Sequence, residues 1–448
     1  MSIEEYLDTL TEQIRCKKAR EPVREEILQH LQEQTEAFMA EGMDKTEAVE
    51  AAVREMGDPK ETGRALDRVH RPKTDWRLIV LVGLLSAGGF LARALLERDL
   101  LGDAYGGFEK QLIALAFGIV VLTAVYFLDY SWFGRHAKGI FAAILLLLYA
   151  ARFWNPRWIN GSARWIDLGF GDLQADITGM LPVLVPLYGA VLHTYRGKGY
   201  RALAKGVLWM LPGIFLAFSC PSTYATALLY VSFCLVMTAA VSRGWFRVSA
   251  KRSLGILWGA ALLLPAAGLA LILGAGGYRA ARLQAVLNPE RFDGYGYTIN
   301  MIRKLLGSSQ LVGPGSLTGN DAVNAFAEAY LGEYTLTFLI SCYGVLAGLL
   351  FIGLLVLMIA RIYRVASKQR STLGMIMGVG CACVLALQVL FFVLENTGVF
   401  PLGAYSPFLS GNMSWTVAEF FLLGLVLSVY RYENILGRNL YKEKNYRA

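Results

Sequence analysis

The chain has 448 residues, of which 55% are hydrophobic, and its mean hydropathy is +0.43. A soluble protein of this length carries fewer apolar residues, so the composition excludes a soluble globular protein and indicates an integral membrane protein. The formal net charge is +8, yet the first 75 residues hold 18 of the 35 acidic and only 12 of the 43 basic residues. The remaining basic excess is typical of membrane topology and anionic headgroups, and we expect no nucleic-acid partner.

The acidic first part, residues 1–72, predicts a small helical domain. Val23, Ile27 and Leu31 lie on one face of a predicted helix whose other positions are mostly charged or amide residues. Asp44 is expected to cap the next helix, and a Gly-Asp-Pro turn leads into a last short one. This pattern resembles the HAAS-type prefix domain found ahead of membrane proteins in Gram-positive bacteria. The resemblance implies a cytoplasmic docking or regulatory domain without catalytic chemistry.

Ten apolar segments follow, and each is long enough, or nearly so, to cross the hydrocarbon core of a bilayer. They lie at about residues 77–96, 112–128, 138–153, 177–195, 203–219, 224–241, 253–274, 335–360, 372–395 and 415–430. The sequence therefore predicts an all-α membrane domain with ten transmembrane helices over residues 76–434. A basic tail, residues 435–448, comes after it.

Positive charge is concentrated on one side of these predicted spans. With the N-terminus inside, the four inner loops and the C-terminal stretch from Arg431 onward carry 2, 4, 4, 4 and 5 basic residues, whereas two of the outer connections carry none. This asymmetry predicts that both termini are cytoplasmic. It also places two polar stretches outside, Asn160–Gln174 and Ala275–Tyr334, and loops of this kind carry function more often than the scaffold does.

The first outer stretch holds a polar and aromatic motif at a place where irregular backbone must stay out of lipid. The motif consists of Asn160-Gly161, Arg164-Trp165-Ile166, Leu168-Gly169 and Gln174. Further landmarks follow in Asn288-Pro289, Gly296-Tyr297, Gly307-Ser308, Gly313, Gly315, Gln388, Gly398, Pro401, Pro407-Phe408, Ser410 and Ser414. In these residues, and in its ten predicted spans, the chain resembles the SEDS family, the FtsW/RodA/SpoVE group, over roughly residues 76–434.

The resemblance implies a function in cell wall synthesis, in cell shape or in division. Members of the family polymerise undecaprenyl-pyrophosphate-linked disaccharide into peptidoglycan glycan strands on the outer face of the cytoplasmic membrane. They do so beside a partner transpeptidase, a class B penicillin-binding protein. By this resemblance the expected activity is that of an inverting glycosyltransferase with undecaprenyl pyrophosphate as leaving group, and the expected partners are that lipid substrate, the transpeptidase and membrane lipids.

The chain departs from the family where the catalytic motif is expected. The family's His-Thr-Asp run, whose aspartate is essential, aligns with Leu331-Gly332-Glu333, so that a longer carboxylate stands alone. A Pro-Asp motif before the sixth span survives only as Pro221, and Ser341 and Cys342 replace an acidic pair. The last span carries Glu419 where the family has asparagine.

Transfer of a sugar needs a base near the attacking hydroxyl, and all four histidines map to the inner side. The outer candidates are therefore carboxylates, namely Asp167, Asp172, Asp176, Glu290, Asp293, Asp321, Glu328 and Glu333. Glu333 lies at a junction of loop and membrane, where partial burial would raise its pKa, and we predict it to be the catalytic base. The alternative is a solvated carboxylate at a helix start.

A departing pyrophosphate needs positive charge, and a guanidinium binds phosphate through two hydrogen bonds. We predict that Arg164 makes this contact; the alternative is a structural ion pair with Asp167 or Asp172. The other predicted substrate-binding residues are Asn160, Trp165, Gln174, Ser410 and Glu419, although Trp165 fits an aromatic belt equally well. We expect no metal ligands in the chain, and a divalent cation, Mg²⁺ or Mn²⁺, is left open as an aid to the leaving group.

Two alternative functions stay open. The replaced motifs favour a non-catalytic SEDS-like scaffold or regulator of cell wall synthesis. A lipid transporter would instead use Glu395 or Glu419, because a carboxylate within a span is costly and is a functional candidate by default. Replacing Glu333 by glutamine separates these hypotheses, since only the enzyme needs that carboxylate.

Overall fold

A computed structural model describes residues 1–102, 107–154, 156–159, 162–167, 174–291 and 296–433. The chain divides into two compact units. The first comprises residues 1–75, 368–374 and the described residues from 429 onward, and the second comprises residues 76–367 and 375–428. The second unit contains every residue of the predicted catalytic and substrate-binding site.

The N-terminal part of the first unit consists of four helices, of which the last three were expected from the sequence. Its helices are α1 (Ile3–Glu12), α2 (Lys17–Ala40), α3 (Lys45–Glu55) and α4 (Pro59–Val69). Val23, Ile27 and Leu31 are buried on one face of α2. Asp44 caps α3 by accepting a hydrogen bond from the backbone N–H of Thr46, which confirms the predicted helix start.

Nine helices in the described part of the chain are long and apolar enough to cross a membrane. They are α5 (Trp76–Leu101), α6 (Gly107–Phe127), α8 (Ala137–Trp154), α11 (Tyr200–Ser219), α12 (Thr223–Ser242), α13 (Ala250–Ala275), α18 (Val345–Ser367), α19 (Thr372–Asn396) and α20 (Met413–Arg431). Most of α19 and α20 is enclosed by the other helices, whereas α13 is almost entirely uncovered. Helices α19 and α20 therefore form the centre of the membrane unit.

The fourth predicted span, residues 177–195, is shorter than the others and broken. It forms α9 (Ile177–Met180), a 3₁₀ turn (Leu181–Val183) and α10 (Leu184–His193). Pro182 lies in the 3₁₀ turn, and a proline has no N–H to give to a continuous helix. The ten predicted spans thus correspond, within the described residues, to nine long helices and one shorter apolar segment.

The eighth predicted span, residues 335–360, is also divided. It consists of α17 (Thr335–Tyr343) and α18, separated by Gly344, whose φ is 99°. A Cβ at Gly344 would lie 2.7 Å from the carbonyl oxygen of Leu311. The chain near Leu311 therefore passes directly against this break, where only glycine fits.

The motif stretch that the sequence suggested to be irregular backbone forms a small antiparallel sheet instead. Its strands are β1 (Pro156–Ile159), β2 (Ser162–Asp167) and β3 (Gln174–Asp176), in the order β1-β2-β3. Pairing the strands satisfies backbone N–H and C=O groups, which is the requirement beside a membrane. The other elements are α7 (Tyr130–Arg135), α14 (Gly277–Leu287), a 3₁₀ turn (Pro289–Arg291), α15 (Tyr297–Gly307) and α16 (Asp321–Tyr330).

Candidate active site

Glu333 lies in the short turn between α16 and α17. Its backbone N–H donates to the carbonyl of Tyr330 over 3.0 Å. Its carbonyl accepts hydrogen bonds from Nδ2 of Asn396 over 3.3 Å and from Oγ of Ser406 over 3.2 Å. The turn is therefore held by the end of α19 and by the loop that follows it.

The side chain of Glu333 is open to solvent, although protein surrounds the residue on most sides. Desolvation by this surrounding protein raises the pKa of Glu333, and the positive charge of Arg164 opposes part of the rise. A carboxylate that is accessible and unusually basic suits a general base. The direction of the shift agrees with the one expected from the sequence.

Arg164 projects from β2 between an aromatic ring and a carboxylate. Its guanidinium carbon lies 4.2 Å from the centre of the Trp165 ring, and its Nε lies 3.8 Å from Oδ2 of Asp176. Its Nε is buried and makes no hydrogen bond within the described residues. The Arg164 cation thus lies beside the carboxylate of Asp176, its charge also acts on Glu333, and it retains a free donor.

Asp176 is the carboxylate beside Arg164, whereas the sequence suggested Asp167 or Asp172 for an ion pair. The antiparallel register sets Trp165 opposite Asp176, which brings the carboxylate next to Arg164. Asp172 lies outside the described residues. The general reason is that residue spacing along the chain does not give the register of a hairpin.

Asp176 is almost completely buried and joins β3 to α20. Its Oδ1 accepts from the N–H and the hydroxyl of Thr178 over 2.9 and 2.7 Å. Its Oδ2 accepts from Nε1 of Trp415 over 3.2 Å, while its own N–H donates to Oγ of Ser414 over 2.8 Å. Sequence reasoning missed this role, although Asp followed two residues later by Thr is typical of a helix N-cap.

The remaining predicted substrate-binding residues are spread more widely. Trp165 lies half-exposed beneath Arg164, and Gln174 pairs with Asp167 across the sheet. Oγ of Ser410 accepts from the N–H of Asn412 over 3.2 Å, ahead of α20. Asn160 lies outside the described residues.

Glu419 belongs to a deeper group inside α20. It is fully buried, and one carboxylate oxygen accepts from the hydroxyl of Tyr405 over 3.1 Å. The Tyr405 ring stacks on Trp415 with ring centres 5.4 Å apart. Glu419 therefore supports the loop before α20 instead of lining the outer surface with Glu333.

Glu395 and Asn396, at the end of α19, connect three elements around Glu333. The Glu395 carboxylate accepts from the N–H groups of Gly403, over 2.9 Å, and Ala404. Oδ1 of Asn396 accepts from the N–H of Thr337 over 3.0 Å, so that it serves the first turn of α17. The Glu395 side chain is buried beneath the loop that follows α19.

Tyr334 follows Glu333 in the chain and is largely buried. Burial, and then the charges of Glu395 and Glu333, raises the pKa of Tyr334. The Tyr334 side chain accordingly stays neutral beside the Glu333 turn.

Arg93 of α5 is a further cation that the sequence analysis missed. Its Nε lies 2.5 Å from Oε1 of Glu97, one helical turn away. A Cβ on Gly332 would lie 3.9 Å from Nη1 of Arg93. Such a buried pair, one turn apart on a helix of a membrane span, is a recognisable signal in the sequence. Arg93 thus sets one guanidinium nitrogen beside the turn that carries Glu333, while its charge is paired with Glu97.

The family of the chain follows from a comparison with known proteins. A family model described as cell cycle protein, the FtsW/RodA/SpoVE model, matches residues 75–435. This match covers far more than half of the chain. The protein belongs to the FtsW/RodA/SpoVE family of polytopic membrane proteins.

Curated relatives resemble the chain over most of its length. It is 24% identical over 365 residues to the probable peptidoglycan glycosyltransferase FtsW of Trichlorobacter lovleyi, covering 79% of this chain and 91% of that one. It is 25% identical to the stage V sporulation protein E of Bacillus subtilis, covering 79% and 94%. It is 23% identical to the peptidoglycan glycosyltransferase MrdB of Escherichia coli, covering 84% and 97%.

Solved structures share the fold. A chain from a peptidoglycan synthase complex, described for its coordination of polymerization and crosslinking, aligns with a TM-score of 0.65 at 24% identity. That alignment covers 80% of this chain and 98% of the other. The rod shape determining protein RodA of Thermus thermophilus aligns with a TM-score of 0.56 at 21% identity, covering 80% and 97%.

Proposed function

We propose that this protein is a peptidoglycan glycosyltransferase that extends glycan strands from undecaprenyl-pyrophosphate-linked disaccharide on the outer face of the cytoplasmic membrane. Relatives that match most of the chain are named as such enzymes. The observation that carries the proposal is the pairing of an accessible carboxyl of raised pKa, Glu333, with the charge of Arg164. This pairing supplies a base and a cation at one site.

In the proposed reaction, Glu333 takes the proton of the attacking sugar hydroxyl. The hydroxyl oxygen forms a bond to the anomeric carbon, and the bond from that carbon to the pyrophosphate oxygen breaks. Undecaprenyl pyrophosphate leaves with the electron pair, and Arg164 stabilises its negative charge. Single displacement by one base inverts the anomeric carbon.

The activity should rise with pH through the pKa of Glu333, because only the ionised carboxylate accepts the proton. That pKa lies above the ordinary value of 4.5. The acidic limb of the pH–rate profile therefore lies at higher pH than for a fully solvated glutamate.

A divalent cation has no ligand set of the chain's own in this proposal. Among the residues that the structure describes, no three His, Cys, Asp or Glu side chains come together in a way that would hold a metal ion. Asp176, the carboxylate nearest Arg164, is engaged by Thr178 and Trp415. No step is therefore assigned to a protein-bound metal.

The transporter alternative receives less support from the buried carboxylates than the sequence suggested. The Glu395 carboxylate accepts hydrogen bonds from backbone N–H groups of the loop after α19, and the Glu419 carboxylate accepts one from the Tyr405 hydroxyl. These contacts are those of groups that hold the fold. The scaffold alternative rests on the replaced motifs and is decided by assay.

The proposal extends to partners and placement. A transpeptidase partner, a class B penicillin-binding protein, fits the peptidoglycan synthase complex whose chain shares this fold. Cytoplasmic termini follow from the basic loops, and a Gram-positive source follows from the resemblance of the prefix domain. Substituted-cysteine labelling at residue 2 and at residue 290 of intact cells tests the placement, since only the second should react with an impermeant reagent.

The activity itself is tested by polymerisation of purified lipid-linked disaccharide, with and without a candidate transpeptidase. We expect glycan strands from the wild type and a loss of at least about a hundredfold in Glu333→Gln, the usual contribution of a general base. Glu290→Gln, an exposed outer carboxylate, is the matched control and should retain the wild-type rate. Absence of polymer from the wild type under every partner condition would favour the scaffold.

A further inference from the structure

The basic end of the membrane unit contains a cavity with an unusual lining. Its volume is about 170 Å³, and it is lined by Tyr195, Lys198, Gly199, Arg201, Ala202 and Lys205. Three of these six residues are cations and none is acidic. The cavity lies between the end of α10 and the start of α11, on the side opposite Glu333.

The aromatic residue in this cavity is fixed in place. Tyr195 is mostly buried, and its hydroxyl accepts a hydrogen bond from Nε1 of Trp209 over 3.1 Å. Nζ of Lys138 lies 4.3 Å from the centre of its ring, and Nζ of Lys198 lies 5.7 Å from it. The ring thus gathers two cations at one point of the basic surface.

The loop that carries the cations is held by backbone hydrogen bonds to the next basic loop. The N–H of Gly197 donates to the carbonyl of Trp245 over 2.7 Å, and the N–H of Arg247 donates to the carbonyl of Lys198 over 2.9 Å. The positions of Lys198 and Arg201 are therefore set by the fold.

The cations of the cavity have no carboxylate partner of their own. Lys138, Lys198, Arg201 and Lys205 form no ion pair within the described residues. The surrounding sequence from residue 193 to 209, and from 242 to 258, contains no Asp or Glu at all. Four neighbouring cations repel one another, and an anion from outside the chain would relieve that repulsion.

An apolar surface continues from the cavity along α11. Arg201 and Lys205 begin a face whose following members point out of the protein unit. These exposed members are Val207, Leu208, Leu211, Phe215 and Phe218. Leu208, Leu211, Phe215 and Phe218 follow Lys205 at a spacing of three to four residues, which keeps them on one side of the helix. A ligand that fits both parts has an anionic head and an apolar tail.

We propose that this cavity and the apolar face of α11 form a binding site for an anionic phospholipid of the adjoining leaflet. The phosphate lies among Lys198, Arg201 and Lys205, and an acyl chain lies along Leu208, Leu211 and Phe215. A soluble phosphate would use the cations but not the apolar face. The site is independent of the glycosyltransferase proposal, because it shares no residue with the Glu333 site.

The proposal is tested with purified full-length protein in a neutral detergent, using native mass spectrometry to count adducts. Short-chain phosphatidylglycerol, phosphatidylcholine of the same chain length and glycerol phosphate are titrated separately. Phosphatidylglycerol should bind at least about tenfold more tightly than the other two. Equal binding of glycerol phosphate would overturn the lipid assignment, and equal binding of phosphatidylcholine would overturn the role of the cations.

Variants locate the site. Lys198→Gln/Arg201→Gln/Lys205→Gln should weaken phosphatidylglycerol binding by at least about tenfold, because each interfacial cation contributes roughly fivefold. Arg243→Gln/Lys251→Gln/Arg252→Gln removes the same charge from the next basic loop and should change binding by less than about threefold. Equal losses in the two variants would show diffuse attraction and contradict a defined site. Arg201→Gln alone gives the same comparison if the triple variant fails to fold.

Discussion

The membrane unit places a cation over an aromatic ring at each of its two ends, with opposite consequences. At the outer end Arg164 lies 4.2 Å from the Trp165 ring, and at the basic end Lys138 lies 4.3 Å from the Tyr195 ring. Arg164 has the carboxylate of Asp176 beside it, whereas Lys138 shares its ring with Lys198 and forms no ion pair within the described residues. The first arrangement adjusts the protonation of a carboxyl, whereas the second attracts an anion from the bilayer.

This difference shows that the effect of a cation on its surroundings depends on whether it is buried and whether a carboxylate is paired with it. A cation shared between two carboxylates is nearly neutralised locally, and its main effect is on their proton affinity. A cluster with no partner keeps its field and acts on whatever anion approaches. The following experiments test the roles of the paired charges and of the contacts around them.

The largest effect is expected from Arg164→Gln, which removes the cation of the outer end. Without that charge the pKa of Glu333 rises further, because Arg164 opposes the rise caused by desolvation. The acidic limb of the pH–rate profile should move to higher pH, and polymerisation at neutral pH should fall about tenfold to a hundredfold. The measurement is initial rate against pH for wild type and variant.

Arg157→Gln is the control for this experiment, since Arg157 is an exposed cation on the neighbouring strand β1. The acidic limb of the pH–rate profile of Arg157→Gln should coincide with that of the wild type. If Arg164→Gln also left the limb in place, the electrostatic coupling between Arg164 and Glu333 would be refuted.

A smaller effect is expected from Asn396→Ala, which removes the side chain that holds the turn. The N–H of Thr337 and the carbonyl of Glu333 both lose a partner. An unsatisfied buried group costs about 1–3 kcal/mol, so the melting temperature should fall. The maximal rate should fall about tenfold with little change in KM, because Glu333 loses its position and the lipid substrate keeps its contacts.

Thr397→Ala is the matched control, because within the described residues the Thr397 hydroxyl donates only to carbonyls of the preceding turn, those of Val393 and Leu394. It should leave both the melting temperature and the rate close to those of the wild type. A fall in melting temperature for Asn396→Ala without any change in the maximal rate would show a role in stability alone.

The smallest effect is expected in the prefix domain, where a buried carboxylate is paired as at the outer end. Although burial opposes it, the N–H of Arg15 and the guanidinium of Arg71 hold the pKa of Asp67 below its usual value. Stability from this group is present at neutral pH and is lost as pH falls through the lowered pKa. Asp67→Asn should cost about 1 kcal/mol at neutral pH and leave polymerisation unchanged.

Hydrogen exchange of α1 and α4 in the full-length chain measures this cost. Glu61→Gln, an exposed acidic residue on α4, should leave the exchange rates unchanged. Equal exchange in Asp67→Asn and the wild type would show that the pair does not stabilise the domain.

Much of the fold follows from the sequence because apolar length and helix caps act locally. Nine of the predicted spans correspond to long helices, and Asp44 caps α3 as expected. The break at Gly344 was missed for a tertiary reason. Gly344 interrupts a continuous apolar run because the chain near Leu311 passes against it, and no local pattern reports such a contact.

The candidate site was only partly predictable. The position of Glu333 and the direction of its pKa shift follow from a charged residue at the end of an apolar segment. The pairing of Arg164 with Asp176 could not be predicted, since the register of strands in a hairpin depends on the turn between them. The hydrogen bonds of Asn396 join it to Glu333 and Thr337, which lie about sixty positions earlier in the chain, and only the folded chain brings these residues together.

The measurement that tests the central claim most directly is polymerisation of lipid-linked disaccharide by Glu333→Asp beside Glu333→Gln and the wild type. If Glu333 is the base, the aspartate variant should retain activity, because it keeps a carboxylate of the length that the family uses, and the glutamine variant should lose it. Comparable strands from all three proteins would contradict the account, since the reaction would then proceed without a carboxylate at this position.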